Sequence, residues 1–290
     1  MALDNLQDFR NIVVYDFNHY RFLTRWMRVF YLGVGASIFF IAYARWLTKK
    51  QLIIILAIGF IAALLTSGRL YLLLYFLAAM ALLYRSKFIS IKGVLIGAVS
   101  FAFLFVLIAL ALGKGSDSGV SSLIAKITWN INIYFLSSLS CFNEYIAIGS
   151  PPIPGGAILP NALRAIFLDV GVAIPLRPTL NPFLYVPVPC NTYTFLFPLF
   201  HDGGVCGVLV GGLLIGVVQQ LLYLKFQLGS SPSWWYLYAI SLYGMFMTIF
   251  EDPYFSSPGF WLQLLLPVVI FYFYQRRNLI RQYFGEKIKK

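Results

Sequence analysis

The chain has 290 residues, of which 60% are hydrophobic and only 11% charged, against roughly 25% charged residues in a soluble domain. That balance excludes an ordinary water-soluble globular protein. The formal charge of +12 would point to nucleic acid in a soluble chain; here the cations stand in short segments between apolar runs, where they set membrane orientation and predict no nucleic-acid partner.

A hydrocarbon layer about 30 Å thick takes roughly 20 mostly apolar residues per helix. Seven uncharged runs approach that length: Val29 to Ala44, Gln51 to Gly68, Leu70 to Tyr84, Gly93 to Gly113, Gly203 to Leu224, Trp234 to Phe250 and Pro258 to Gln275. The first and third are short, but Arg28, Arg45, Arg69 and Arg85 flank them and can snorkel to the interface. The expected fold is an all-α integral membrane bundle of about seven transmembrane helices in a lipid bilayer. Its expected parts are an outside segment 1–28, four spans in 29–113, a large outside loop 114–202, three spans in 203–275 and a basic tail 276–290.

Assigning alternate loops to one side gathers Arg45, Lys49, Lys50, Arg85, Lys87, Lys92, Lys225, Arg276, Arg277, Arg281, Lys287, Lys289 and Lys290, thirteen of the 22 basic residues, with Glu286 as the lone acid. The positive side is cytoplasmic. The opposite face holds the other nine acids and nine basic residues, and is close to neutral. Met1 to Arg28 then lies outside without an apolar signal region. Either this short tail is translocated, or the chain is the C-terminal part of a longer protein with further spans before it.

The long loop opens with Ser121 to Ile148, where Leu123, Ile127, Ile131, Phe135, Leu139 and Phe142 recur at helical spacing. This predicts a helix lying in the interface. An eighth span here would reverse every later loop and put the basic tail outside, against the charge count. Prolines and glycines in Gly149 to Asn161 interrupt any helix. A short helix is predicted around Ala162 to Leu168 and extended chain over Pro175 to Pro189. Such irregular backbone near the membrane is tolerated only against protein or water, so the loop is expected to fold over a cavity.

Beyond the N-terminal tail's own Arg10, Arg21 and Arg25, four arginines fall on the outer face: Arg28, which ends the tail, Arg69, Arg164 and Arg177. Arginine suits phosphate or pyrophosphate because its planar fork donates paired hydrogen bonds and stays charged. Arg28 equally reads as an interface anchor, and Arg69 as the turn marker between spans two and three. Arg164 and Arg177 stand among apolar residues and need a partner, either Asp169 or a ligand phosphate. His201, where the loop enters span five, is a candidate base for a sugar hydroxyl or an interfacial polar residue. Asp202 is a second candidate or the N-cap of that span. Glu251 and Asp252, before Pro253, are alternative bases or a solvated turn. No cofactor or metal is expected: glycine-loop, metal-ligand and nucleophile-elbow patterns are missing from the sequence. Cys141 and Cys190 both fall in the outside loop, where an oxidising compartment would permit a bridge.

The run Asn191-Thr192-Tyr193-Thr194-Phe195-Leu196-Phe197-Pro198-Leu199-Phe200-His201-Asp202-Gly203-Gly204-Val205-Cys206-Gly207 resembles the Asn-x-Tyr-Thr to Asp-x-Gly segment of the O-antigen polymerase (Wzy-type) family, the oligosaccharide repeat unit polymerases. Pro154-Gly155-Gly156 leading to Arg164, and Ser67-Gly68-Arg69, look like that family's two arginine regions. The resemblance covers most of the chain and is strongest in its second half. It implies a GT-C-like architecture with short interfacial helices, and glycosyl transfer on the periplasmic face of the bacterial inner membrane. The implied substrate is undecaprenyl-pyrophosphate-linked oligosaccharide, and a chain-length-regulating membrane protein is an implied partner. By the same resemblance Arg69, Arg164 and Arg177 bind pyrophosphate, Asn191, Tyr193 and Thr194 bind substrate, and His201 or Asp202 handles the acceptor hydroxyl. Family members usually have more than seven spans, which fits an N-terminal part missing here. An O-antigen ligase acting on lipid A core would use the same donor headgroup. A lipid-linked oligosaccharide flippase would need charge within the spans, and the seven runs have none.

Overall fold

Helices occupy each of the seven apolar intervals. The structure, a computed structural model, describes residues 21–66, 69–111, 122–149, 153, 155–172, 174, 181, 183–186, 189–229, 231–255 and 257–288. Within these the chain is mostly helical: α1 (Arg21–Ala42), a 3-10 turn (Ala44–Trp46), α2 (Lys49–Leu65), α3 (Arg69–Arg85), α4 (Ile91–Ala111), α5 (Leu123–Ile148), α6 (Asn161–Asp169), β1 (Leu184–Tyr185), β2 (Pro189–Cys190), α7 (Leu196–Leu228), α8 (Pro232–Met247) and α9 (Pro258–Ile288). The antiparallel pair β1 and β2 matches Leu184 with Cys190 and Tyr185 with Pro189. Among the described residues α7 and the Pro258–Gln275 part of α9 are long and apolar enough to cross a membrane. Val29–Ala42, Leu70–Arg85 and Ile91–Leu104 are shorter apolar helices. Val205, Leu209 and Leu213 on α7 are each at least 65% exposed, a surface suited to hydrocarbon and costly in water.

The chain divides into two units. The first comprises the described residues of Val13–Val94, Lys225–Ile240 and Gly259–Lys290. Here α2 opens on a capping box, in which Thr48 Oγ1 accepts from the Gln51 amide and Gln51 Oε1 accepts from the Thr48 amide at 2.9 Å. Val34, Ile38, Leu74, Leu82 and Leu264 are sealed in its core. Trp235 and Tyr236 are buried. Arg45 and Arg85 hold their guanidinium carbons 4.9 and 5.0 Å from the Trp235 ring centroid. Arg85 also donates to the carbonyls of Phe226 and Gln227, both at 3.0 Å, so a cation neutralises the C-terminal end of α7.

The second unit comprises the described residues of Leu95–Leu224 and Ser241–Pro258. The predicted interfacial helix is α5, capped by Ser122, whose Oγ accepts from the Ala125 amide at 3.2 Å, and ended by Gly149 in the left-handed conformation. The predicted short helix is α6. The fifth apolar helix begins at Leu196, earlier than the expected Gly203, because Pro198 lies in its first turn, where no amide is needed. The helix then breaks at Gly204, whose φ of 57° and ψ of −147° suit glycine alone. His201 and Asp202 therefore ride on the short segment before the kink.

Candidate functional site

The site in the second unit is built on three segments: the Asn191–Phe200 stretch entering α7, the C-terminal part of α5, and the turn 153–159. Cys141, Phe142, Ala157, Cys190, Tyr193 and Phe197 form one buried apolar cluster, with Tyr145, Leu184, Leu196 and Phe200 against it. The Tyr193 and Phe197 rings stack at 4.4 Å, and Tyr145 meets Phe197 edge-on at 4.9 Å. These rings make a floor for the His201 imidazole, which lies 5.7 Å from Phe197 and 6.2 Å from Tyr145.

The turn 153–159 closes over that imidazole by backbone hydrogen bonds. Ile153 N donates to His201 O at 2.9 Å, and Gly156 N donates to Ile153 O at 2.9 Å. Ala157 N and Ile158 N then donate to the two carboxylate oxygens of Asp202, Oδ1 at 2.7 Å and Oδ2 at 2.9 Å. Asp202 Oδ1 also lies 2.8 Å from His201 Nδ1. A side chain at Gly156 would put its Cβ 2.5 Å from His201 Cε1 and 2.8 Å from Ile153 O; only glycine allows so close an approach. A carboxylate can only accept, so the imidazole donates through Nδ1, and in the neutral ring the lone pair then falls on Nε2. The side chains of His201 and Asp202 are 17% and 7% exposed.

No family model, curated protein or solved structure matches this chain. Its chemistry must be read from the site itself.

Arg164, on α6, is 1% exposed. Its Nε donates to Leu159 O at 2.7 Å and its Nη2 to Gly156 O at 2.8 Å. The partner that burial demanded is thus supplied in part by the turn's own carbonyls, while Asp169 is exposed at the end of α6. Asp202 does not serve as the cap expected of it: its oxygens are taken by the amides of Ala157 and Ile158. One arginine therefore holds the carbonyl side of the turn and one aspartate its amide side.

Of the other predicted residues, Tyr193 and Thr194 are each 2% exposed, and Thr194 Oγ1 is a buried hydroxyl without a hydrogen-bond partner. The half-buried Asn191 gives its carbonyl to Asn181 Nδ2 at 3.3 Å. Arg69 opens α3 in the other unit. The Arg28 and Arg69 side chains and the whole of Arg177 lie outside the described residues. The sequence did not flag Tyr145, Phe197 or the amides of Ala157 and Ile158. The signal for the amides was present in Pro154-Gly155-Gly156, a turn-forming run eight residues before Arg164.

Glu251 and Asp252 occupy the turn after α8, bonded to the same unit through Phe195 N to Thr248 O at 3.1 Å and Ser138 Oγ to Ile249 O at 2.8 Å. Asp252 Oδ1 accepts from Tyr254 N and Phe255 N, both at 2.9 Å, in a local Asx turn. Burial, reinforced by the Asp252 charge, pushes the Glu251 carboxyl up from its ordinary 4.5 to about 7. The native state then binds the proton more tightly than the unfolded chain. Stability is full below 4.5 and is lost as pH rises through the interval up to about 7. The wild-type melting temperature in detergent should fall across that interval, and Glu251→Gln should flatten the profile. An unchanged slope in the variant would assign the pH dependence to another group.

Proposed function

We propose that the chain is a multi-pass glycosyltransferase of the bacterial inner membrane. It joins oligosaccharide repeat units carried on undecaprenyl pyrophosphate, at the periplasmic face, as an O-antigen polymerase does. The observation that carries this is the hydrogen-bonded pair His201–Asp202, fixed by two turn amides within the segment that resembles the polymerase family. Seven crossings are supported by helices in all seven apolar runs, and the outward direction of the site by the sorting of charge along the sequence.

In this mechanism Asp202 holds the imidazole by Nδ1, and Nε2 takes the proton of the acceptor hydroxyl. The freed oxygen attacks the anomeric carbon of the donor unit as its bond to pyrophosphate breaks, and undecaprenyl pyrophosphate departs. The family resemblance gives its charge to Arg69 and Arg177, whose side chains lie outside the described residues. Arg164, with its hydrogen bonds to Gly156 and Leu159, acts chiefly by holding the turn. Pyrophosphate leaves without protonation, so one base suffices.

The test is a source strain lacking the gene. Lipopolysaccharide with a single repeat unit per lipid A core, and a full ladder on complementation, is the expected result. Core carrying no repeat unit would instead identify a ligase. Lipid-linked units crossing sealed vesicles without chain growth would identify a flippase.

A further inference from the structure

We propose that Cys141 and Cys190 are a modification site, a disulfide that ties the Asn191–Thr194 segment to α5. The inference rests on the outward placement of this segment and is independent of glycosyl transfer. Cys141 comes from α5 and Cys190 ends β2, far apart in sequence, yet both belong to one buried cluster at 0% and 5% exposure. Cys141 Sγ donates to Cys190 O at 3.2 Å. Cys190 Sγ reaches Thr192 O at 3.2 Å and Ser137 O at 3.5 Å. Both are free thiols in this structure.

A bridge needs the two side chains close together and fails when they point apart; here Cys141 Sγ lies 3.2 Å from the carbonyl oxygen of Cys190, and Cys190 Sγ lies 3.5 Å from that of Ser137, one helical turn before Cys141. A metal site is disfavoured by the surroundings: among the described residues no three His, Cys, Asp or Glu side chains are grouped to hold an ion. The third cysteine, Cys206, is exposed on α7 and outside the cluster. An extracytoplasmic compartment supplies the oxidant, a protein disulfide of a thiol oxidase. The Cys141 thiolate attacks that disulfide and forms a mixed disulfide, releasing one oxidase thiol. The Cys190 thiolate then attacks Cys141 Sγ and releases the second. Two thiols are oxidised, one oxidase disulfide is reduced to a dithiol, and both protons end on the oxidase. Burial sets the timing. Exchange occurs while the chain folds, and the closed cluster then shields the bond from reductants.

The closed covalent loop contains α6, Arg164 and the turn over His201, so the bridge would anchor the strand that enters α7 where Tyr193 packs. Full-length protein from its native membrane, trapped with N-ethylmaleimide during denaturation and weighed intact, tests this. One alkylated thiol, Cys206, is expected without reductant and three after reduction, with a peptide linking Cys141 to Cys190. Cys141→Ser should show two alkylated thiols without reductant, and reduction of the wild type should lower its melting temperature. Three alkylated thiols in unreduced wild type, or a bridge involving Cys206, would overturn the proposal. A normal glycan ladder from a protein with free thiols would sink the bridge and leave the enzyme proposal standing.

Discussion

Replacing His201 by alanine is expected to cut repeat-unit addition by about 100-fold to 10,000-fold, the usual contribution of a positioned general base, while the protein still reaches the membrane. The expected selectivity follows from the geometry. His201 contributes its own backbone carbonyl to Ile153 N and its ring to Asp202, and alanine keeps the first of these. The Asp202 carboxylate retains Ala157 and Ile158, so the turn loses one of several attachments. Asp202→Asn is the sharper companion: its amide nitrogen cannot accept, so either a turn amide or the imidazole loses its acceptor and the tautomer is no longer held. The measurement is chain elongation by membranes supplied with lipid-linked repeat units, scored against melting temperature. A normal elongation rate from His201→Ala would remove His201 from proton transfer and return attention to Glu251.

Helices were legible because long apolar runs and the spacing along Ser121 to Ile148 are local signals, and α5 and α6 begin and end close to where proline and glycine predict. Side-chain partnerships were less legible, because they join residues distant in sequence. Asp202 reads as a helix cap only if the helix starts beside it. The helix starts at Leu196 and kinks at Gly204, which hands the carboxylate to amides some 45 residues earlier. Trp235 likewise draws its two arginine neighbours, Arg45 and Arg85, from far along the chain. For Arg164 the sequence required a partner without indicating that backbone carbonyls would serve. A local pattern reports burial; it does not report which distant group satisfies a buried donor.

Arg164→Ala is expected to remove long glycan chains through the turn. Two part-buried carbonyls, Gly156 O and Leu159 O, would lose their guanidinium donors, and the volume of a buried arginine would be left unfilled. Part-buried carbonyls left without their donor and a cavity together cost about 3 kcal/mol, so melting temperature should fall by several degrees along with elongation. Displacing the turn shifts the amides of Ala157 and Ile158 away from Asp202, and the imidazole loses its fixed orientation. Arg164→Lys separates this from direct pyrophosphate binding. A lysine keeps the charge as a single point and cannot span both carbonyls as a planar fork does. If Arg164 holds the turn, lysine resembles alanine in both melting temperature and elongation. If it holds pyrophosphate, lysine restores part of the rate and raises the apparent KM for donor, and elongation no longer follows melting temperature across the two variants.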